Sequence, residues 1–202
     1  SGFYYDYKDK QENDYAVSPV GNLGALTNVE KSRIIGAELE MDWEPLEGLF
    51  FHTGATWLDT KVIEWNAIDP VASAWPTVVT RDASGVELPQ APKWSVIGLV
   101  NYRRPVSTAL YGELGGDVSY TGSTTGGGNG FDSLSAVNAT DSYAILNARI
   151  ALGDVDDRWK VQLWSRNLTN EYYFTSGFSA NGPYVRFAGM PRTFGVTLDY
   201  NF

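Results

Sequence analysis

Apolar and polar residues alternate with a period of two along most of this chain, and a helical period is hard to find. The cleanest run covers residues 34–44. It places Ile35, Ala37, Leu39, Met41 and Trp43 on one face and Gly36, Glu38, Glu40, Asp42 and Glu44 on the other. Successive side chains of a strand point to opposite sides, so the run predicts a β-strand with one apolar face. Residues 193–202 repeat the pattern, with Phe194, Val196, Leu198, Tyr200 and Phe202 set against Thr193, Gly195, Thr197, Asp199 and Asn201. That strand runs to a terminal aromatic residue, where a soluble domain often frays into a polar tail.

Similar runs at residues 2–10, 49–62, 93–103, 109–121, 142–152 and 158–168 bring the expected total to about eight strands. In the first, Phe3, Tyr5 and Tyr7 share a face opposite Tyr4, Asp6 and Lys8. The connections fall into two classes. Those at 44–49, 104–109 and 153–158 are tight and carry turn formers such as Pro45, Gly48, Pro105 and Asp154. Those at 11–33, 64–92, 122–141 and 169–191 are long, and the two kinds alternate. Compact soluble domains rarely carry loops of such length. Short turns at one end and long loops at the other are the layout of a membrane barrel. Trp43, Tyr102, Trp159, Tyr200 and Phe202 fall near the short-turn side, while Trp94, Tyr120 and Tyr143 fall near the long-loop side, as two membrane interfaces would select. The expected fold is therefore all-β: an antiparallel, up-and-down transmembrane β-barrel segment.

Composition narrows the chemistry. The 202 residues include no Cys and one His, which removes disulfides, thiolate sites and His clusters. A net charge of −9 without a basic stripe argues against nucleic acid. No stretch reaches the roughly eighteen apolar residues of a transmembrane helix, which leaves barrel strands untouched. Neither a cofactor nor a metal is expected, and no enzymatic constellation emerges. The row Glu38, Glu40, Asp42, Glu44 spaces its carboxylates roughly 7 Å apart, near a glycosidase pair, but such pairs come from different strands across a cleft. A hydrated wall balanced by Arg149, Lys160 and Arg166 is the expectation there. Asp154, Asp156 and Asp157 lack the distal Glu of a calcium loop and read as a turn. Gly126, Gly127, Gly128 and Gly130 open no helix and so cradle no phosphate. Asn138 and Asn167 sit in glycosylation sequons, a weak match that carries no weight here. His52 has no nucleophile partner.

The long loops carry the binding candidates. Trp65, Trp75, Phe131, Tyr184 and Arg186, with Phe174 and Phe178 nearby in sequence, suit capture of a planar or sugar-like ligand. Mutual packing that orders the loops is an equal alternative.

Two segments carry a family resemblance. Residues 159–173, with Trp159, Val161, Leu163, the run Asn167-Leu168-Thr169-Asn170 and then Glu171-Tyr172-Tyr173, resemble the penultimate strand of TonB-dependent outer-membrane receptors. Gly189-Met190-Pro191-Arg192-Thr193 and the strand after it resemble their last strand, and Ile35-Gly36-Ala37-Glu38 fits the same barrel. The resemblance implies a 22-stranded barrel with short periplasmic turns and long extracellular loops, plugged by an N-terminal domain. Residues 1–202 would be its C-terminal part, without plug or N-terminal barrel strands. It implies residence in the bacterial outer membrane and TonB-energised uptake of a scarce ligand such as a ferric siderophore. The implied partners are outer-membrane lipid, the rest of the barrel and plug, and, through that plug, the TonB complex. Leu198, Tyr200 and Phe202 would form the signal read by the barrel-assembly machinery. The competing expectations are a complete eight-stranded barrel with a structural or adhesive role, closed by pairing of the strands at Phe3 and Val196, and a secreted soluble β-sandwich.

Overall fold

A computed structural model describes residues 1–69, 72–125, 139–179 and 184–202. Among the described residues every regular element is a strand. They are β1 (Gly2–Ser18), β2 (Gly21–Leu46), β3 (Leu49–Glu64), β4 (Asn66–Ile68), β5 (Thr80–Asp82), β6 (Trp94–Pro105), β7 (Leu110–Thr121), β8 (Tyr143–Asp154), β9 (Trp159–Arg166), β10 (Phe174–Ser179), β11 (Tyr184–Ala188) and β12 (Thr193–Tyr200). Eight of them form one sheet in the order β1-β2-β3-β6-β7-β8-β9-β12, with every neighbouring pair antiparallel. The small pairs β4–β5 and β10–β11 stand apart, inside two of the long connections.

Register turns the alternation of each strand into a property of the whole sheet. Tyr102, Leu114, Ile150, Leu163 and Val196 oppose one another in succession from β6 to β12. The adjacent row runs Asn101, Gly115, Arg149, Trp164 and Gly195. A slip of one residue at any pairing would drive a charge into the apolar face, so the pattern pins the register. On β2 the apolar face lasts about nine residues, from Ile35 to Trp43, near the length a tilted strand needs to cross a bilayer. Among the described residues nothing covers this face: Leu39, Leu114, Leu163 and Val196 are all more than half exposed. A single sheet cannot bury its own face and needs a second layer or a membrane.

The packed core lies elsewhere. Val29, Val62, Trp65, Ala67, Ala83 and Leu88 are buried together at the long-loop end, with Ile34, Val86 and Ala91 against them.

Three details correct or extend the sequence reading. Residues 11–33, expected to be a loop, continue β1 and β2 as a ladder that ends at the pair Ser18 and Gly21. Ser18, Pro19 and Gly21 suit the first, second and fourth positions of a type I turn, and Ser18 Oγ donates to the Gly21 carbonyl at 2.6 Å. Beyond the apolar band both faces meet water, so this ladder needs no alternation, and periodicity could not disclose it. The second concerns Phe3, Tyr5 and Tyr7, which share a face as expected, and fixes which face that is. Phe3 opposes Gly36 and Tyr5 opposes Ile34, which puts these rings on the face of Glu38 and Glu40. They line up along β1, tilted by 40° with centroids 5.1 and 5.9 Å apart, and the Phe3 ring occupies the space a Cβ at Gly36 would need. Third, Tyr143 opposes Thr121 on the polar face and packs on Tyr173 at 4.3 Å, so it does not join the apolar rim. Four of the expected rim aromatics do lie on the apolar face: Trp94 opposes Trp57, Trp43 lies 5.6 Å from Phe51, and Trp159 opposes Tyr200.

β1 and β12 form the two edges of the sheet and do not pair with each other. The closed eight-stranded alternative required that pairing.

Candidate functional site

The polar face is wired across strands. Arg149 Nη2 on β8 donates to Asn101 Oδ1 on β6 at 2.9 Å, and its Nε lies 3.6 Å from Glu113 Oε1 on β7. It reaches over Gly115, where a Cβ would stand 2.6 Å from the guanidinium. Asn147 Nδ2 donates to Asp117 Oδ2 at 2.6 Å. Trp164 Nε1 donates to Thr197 Oγ1 at 3.1 Å with Arg166 over its ring, and Lys160 pairs with Asp199 at 3.6 Å. Toward the short turns, Arg103 bonds Asp157 at 2.8 Å and stacks 3.5 Å over the Tyr111 ring.

The acidic row on β2 is not balanced in the expected way. Arg149 and Lys160 take Glu113 and Asp199 on adjacent strands, and Arg166 stacks on Trp164. Salt bridges need contact, and β8 and β9 lie several strands away from β2. Asp42 Oδ1 instead lies 2.7 Å from His52 Nδ1, and Glu38 Oε2 accepts from Ser1 Oγ at 3.2 Å. Glu40 and Glu44 have no ion pair among the described residues. Asp154 and Asp156 both pair with Arg158, as a turn rather than a calcium loop.

The run from Asn167 to Asn170 is a knot. Asn167 is 2 % exposed and adopts φ 49°, a region that suits Asn. Its amide nitrogen donates to the carbonyls of Glu171 and Met190, both at 2.9 Å, and its Oδ1 accepts from Glu171 N–H at 2.8 Å. Its own N–H donates to Asn147 Oδ1. Asn170 Oδ1 accepts from Arg192 N–H at 3.1 Å, and Arg192 Nη1 reaches the Leu168 carbonyl at 3.3 Å. One short segment thereby ties β8, β9 and the chain entering β12. With its amide spent in this way, the sequon at Asn167 has a structural use. The one at Asn138 and the glycines at 126–130 lie outside the described residues.

The loop candidates separate. Trp65 is 3 % exposed and belongs to the packed loop core, so it cannot present its ring to a ligand; here the alternative, packing that orders the loop, holds. Trp75 stands exposed in the connection from β4 to β5. Phe131 lies outside the described residues, as does the side chain of Tyr184, whose backbone pairs with Ser179. Arg186 on β11 is exposed and sits 5.1 Å over the Phe174 ring. Trp75 and Arg186 therefore occupy different hairpins. The sequence reading missed Asp69, 1 % exposed and paired with Arg81 Nε at 2.6 Å, and buried Asp14, whose Oδ2 accepts from Ile68 N–H at 3.2 Å. Both order the loop around Trp65, and neither sits in a local motif. Leu198, Tyr200 and Phe202 are exposed on the apolar side of the terminal strand, with the last two rings 5.1 Å apart.

A one-layer antiparallel sheet, apolar on one face, cross-linked by charges on the other and turned tightly at one rim, is a section of a β-barrel wall. The family model described as TonB dependent receptor-like, beta-barrel matches residues 1–168, and the chain belongs to that family. The family is one of receptor barrels, not of enzymes. Among solved structures the chain is similar to the ferric yersiniabactin uptake receptor FyuA from Yersinia pestis. The identity is 19 % and the TM-score 0.72, over 100 % of this chain and 27 % of that one. The ferric-catecholate import receptor Fiu from E. coli K12 gives 20 % and 0.69, over 100 % of this chain and 24 % of that one. The ferric preacinetobactin receptor BauA from Acinetobacter baumannii gives 16 % and 0.58, over 95 % and 26 %. The chain thus spans about a quarter of these receptors' length, and β12, beyond the family match, falls within two full-length alignments.

Proposed function

We propose that this chain is the C-terminal part of an outer-membrane receptor barrel that takes up a ferric siderophore using energy delivered through TonB. The observation that carries the reading is the continuous apolar face from β2 to β12 backed by a charged face, on a sheet whose two edges are unpaired. A wall of this kind is stable in lipid only as part of a closed barrel. The similar solved structures bear ferric-siderophore receptor titles, which supports the cargo class. In this reading residues 1–202 form one barrel segment, the plug and the remaining strands complete the receptor, and TonB engages the plug. The barrel-assembly machinery reads Leu198, Tyr200 and Phe202. Trp75 and Arg186, exposed in two separate hairpins, are the candidate ligand contacts, and Phe131 and Tyr184 join them as candidates from the sequence alone.

The test uses the full-length receptor in a Gram-negative strain stripped of its own siderophore receptors and starved of iron. Growth rescue by one member of a ferric-siderophore panel, abolished when TonB is deleted, is the expected result. Absence of rescue and of binding across the panel, with the receptor folded in the outer membrane, would overturn the cargo class. Recovery of the receptor as a soluble protein would overturn the membrane reading as well.

A further inference from the structure

The apolar face is not uniform. Between β6 and β9, near the short-turn rim, it dips into a groove of about 790 Å³ whose walls include Tyr102, Leu114, Ile150, Leu152, Trp159 and Leu163. This is the size range in which proteins hold discrete ligands. Gly112 forms part of the floor. It lies in the row Arg104, Gly112, Leu152, Val161, Leu198, and its bare backbone lets Val106 close in, so that a Cβ there would stand 3.2 Å from Val106 Cγ1. Glu113 also borders the groove, but its carboxylate belongs to Arg149 on the opposite face.

Arg104 is the charged residue of that row, placed on the apolar face one step beyond Tyr102. It is exposed and makes no ion pair among the described residues. Its Nε donates to Tyr102 Oη at 3.0 Å, leaving the guanidinium fork open at the rim. Arg103, the next residue, points to the other face and is fully engaged by Asp157 and Tyr111. A guanidinium at the edge of an apolar groove, at the depth of an aromatic rim, matches a phosphate attached to hydrocarbon. A protein ridge in the same groove would have to bring a carboxylate to Arg104 and an aliphatic spine of the right length.

We propose that this groove holds one glycerophospholipid of the leaflet at the short-turn side, with an acyl chain along Leu114, Ile150 and Leu152 and the phosphate on Arg104. The proposal rests on the membrane reading above and adds a defined lipid site to it.

The experiment is native mass spectrometry of the detergent-extracted full-length receptor, delipidated and then offered phosphatidylglycerol, dioleoylglycerol or inorganic phosphate. The wild type is expected to retain one phosphatidylglycerol and neither of the others. Arg104→Gln should lower retention about tenfold, the effect of losing one charge-assisted hydrogen bond. Gly112→Leu should lower it by filling the floor. If Gly112→Leu fails to show the heat-modifiable mobility of a folded barrel, the exposed Arg104→Gln substitution carries the test alone. Equal retention by Arg104→Gln, equal retention of dioleoylglycerol, or a second protein copy in place of lipid would overturn the proposal. Each of those results leaves the receptor a detergent-soluble membrane protein, whereas a receptor soluble without detergent overturns the membrane reading first.

Discussion

Arg149 and Asn101 join hands across an intervening strand: the guanidinium on β8 meets the amide on β6 at 2.9 Å by passing over the bare backbone of Gly115 on β7. The pairing register alone brings these positions into one row, and only a residue without a Cβ leaves the path clear. Gly115→Leu should push the guanidinium off Asn101 and cost about 1–3 kcal/mol through overpacking and a lost bond. Urea unfolding of the full-length receptor, with Asn101→Ala as the matched partner in a double-mutant cycle, measures it. Additive losses would show that the two residues are not coupled.

The faces of the sheet make a sharper claim. Val196 and Thr197 are neighbours on β12, the first in the apolar row and the second bonded to Trp164. Val196→Arg should cost about 2–4 kcal/mol, the penalty for a cation on the lipid side of a barrel near its midplane. Thr197→Arg, on the hydrated side, should leave assembly close to wild type. Heat-modifiable gel mobility of membrane fractions reads both, and a reversed order would mean that inside and outside have been exchanged.

Asn167 is expected to govern how the last strand docks. Asn167→Ala strands the Glu171 N–H and two carbonyls; water reaches these groups at exposed Glu171 and Met190, so the cost should be about 1–3 kcal/mol. Asn167→Gly keeps the positive φ without the amide, so it separates backbone strain from hydrogen bonding. Hydrogen exchange at residues 193–200 should rise in both variants. Protection unchanged in Asn167→Ala would remove the knot from the account of β12.

Acid should loosen the short-turn rim. Beyond Leu152, outside the apolar rows, Arg158 Nε donates to Asp154 Oδ2 at 2.5 Å and Nη2 to Oδ1 at 3.1 Å. That hydrogen bond holds the Asp154 carboxyl below the usual carboxylate range. A depressed folded-state value means the pair contributes stability at any pH above the unfolded value of about 4, and the contribution fades as pH falls through the folded value. The receptor's unfolding midpoint should therefore decline in that acid range, and the Asp154→Asn variant should decline less. Identical slopes for the two proteins would contradict the assignment.

What the sequence disclosed follows from where water is. Within the apolar band each strand has one wet and one dry side, and the alternation from Ile35 to Trp43 or from Phe194 to Tyr200 states the strand and its facing at once. Above the band both sides are wet, so the long ladder of β1 and β2 around Ser18 and Gly21 left no periodic trace. The same blindness put Trp65 among the exposed candidates. Its burial depends on Val29, Val62 and Leu88, which come from three separate segments. The acidic row was legible as a row, but its partners were not. Charge balance over a whole sheet says nothing about which carboxylate a given arginine touches, and Arg149 takes the Glu113 beside it. The Asn167 motif was visible as a string of letters, and its physical meaning came only with the carbonyls of Glu171 and Met190.

The unpaired margins of β1 and β12 have a consequence for what kind of object this chain is. In hydrocarbon, each backbone group without a partner costs several kcal/mol, and each margin presents such groups along one whole side of a strand. On the reading proposed above, the segment is unsaturated in the chemist's sense, with an open valence at either end. Its thermodynamic identity belongs to the ring that satisfies both valences.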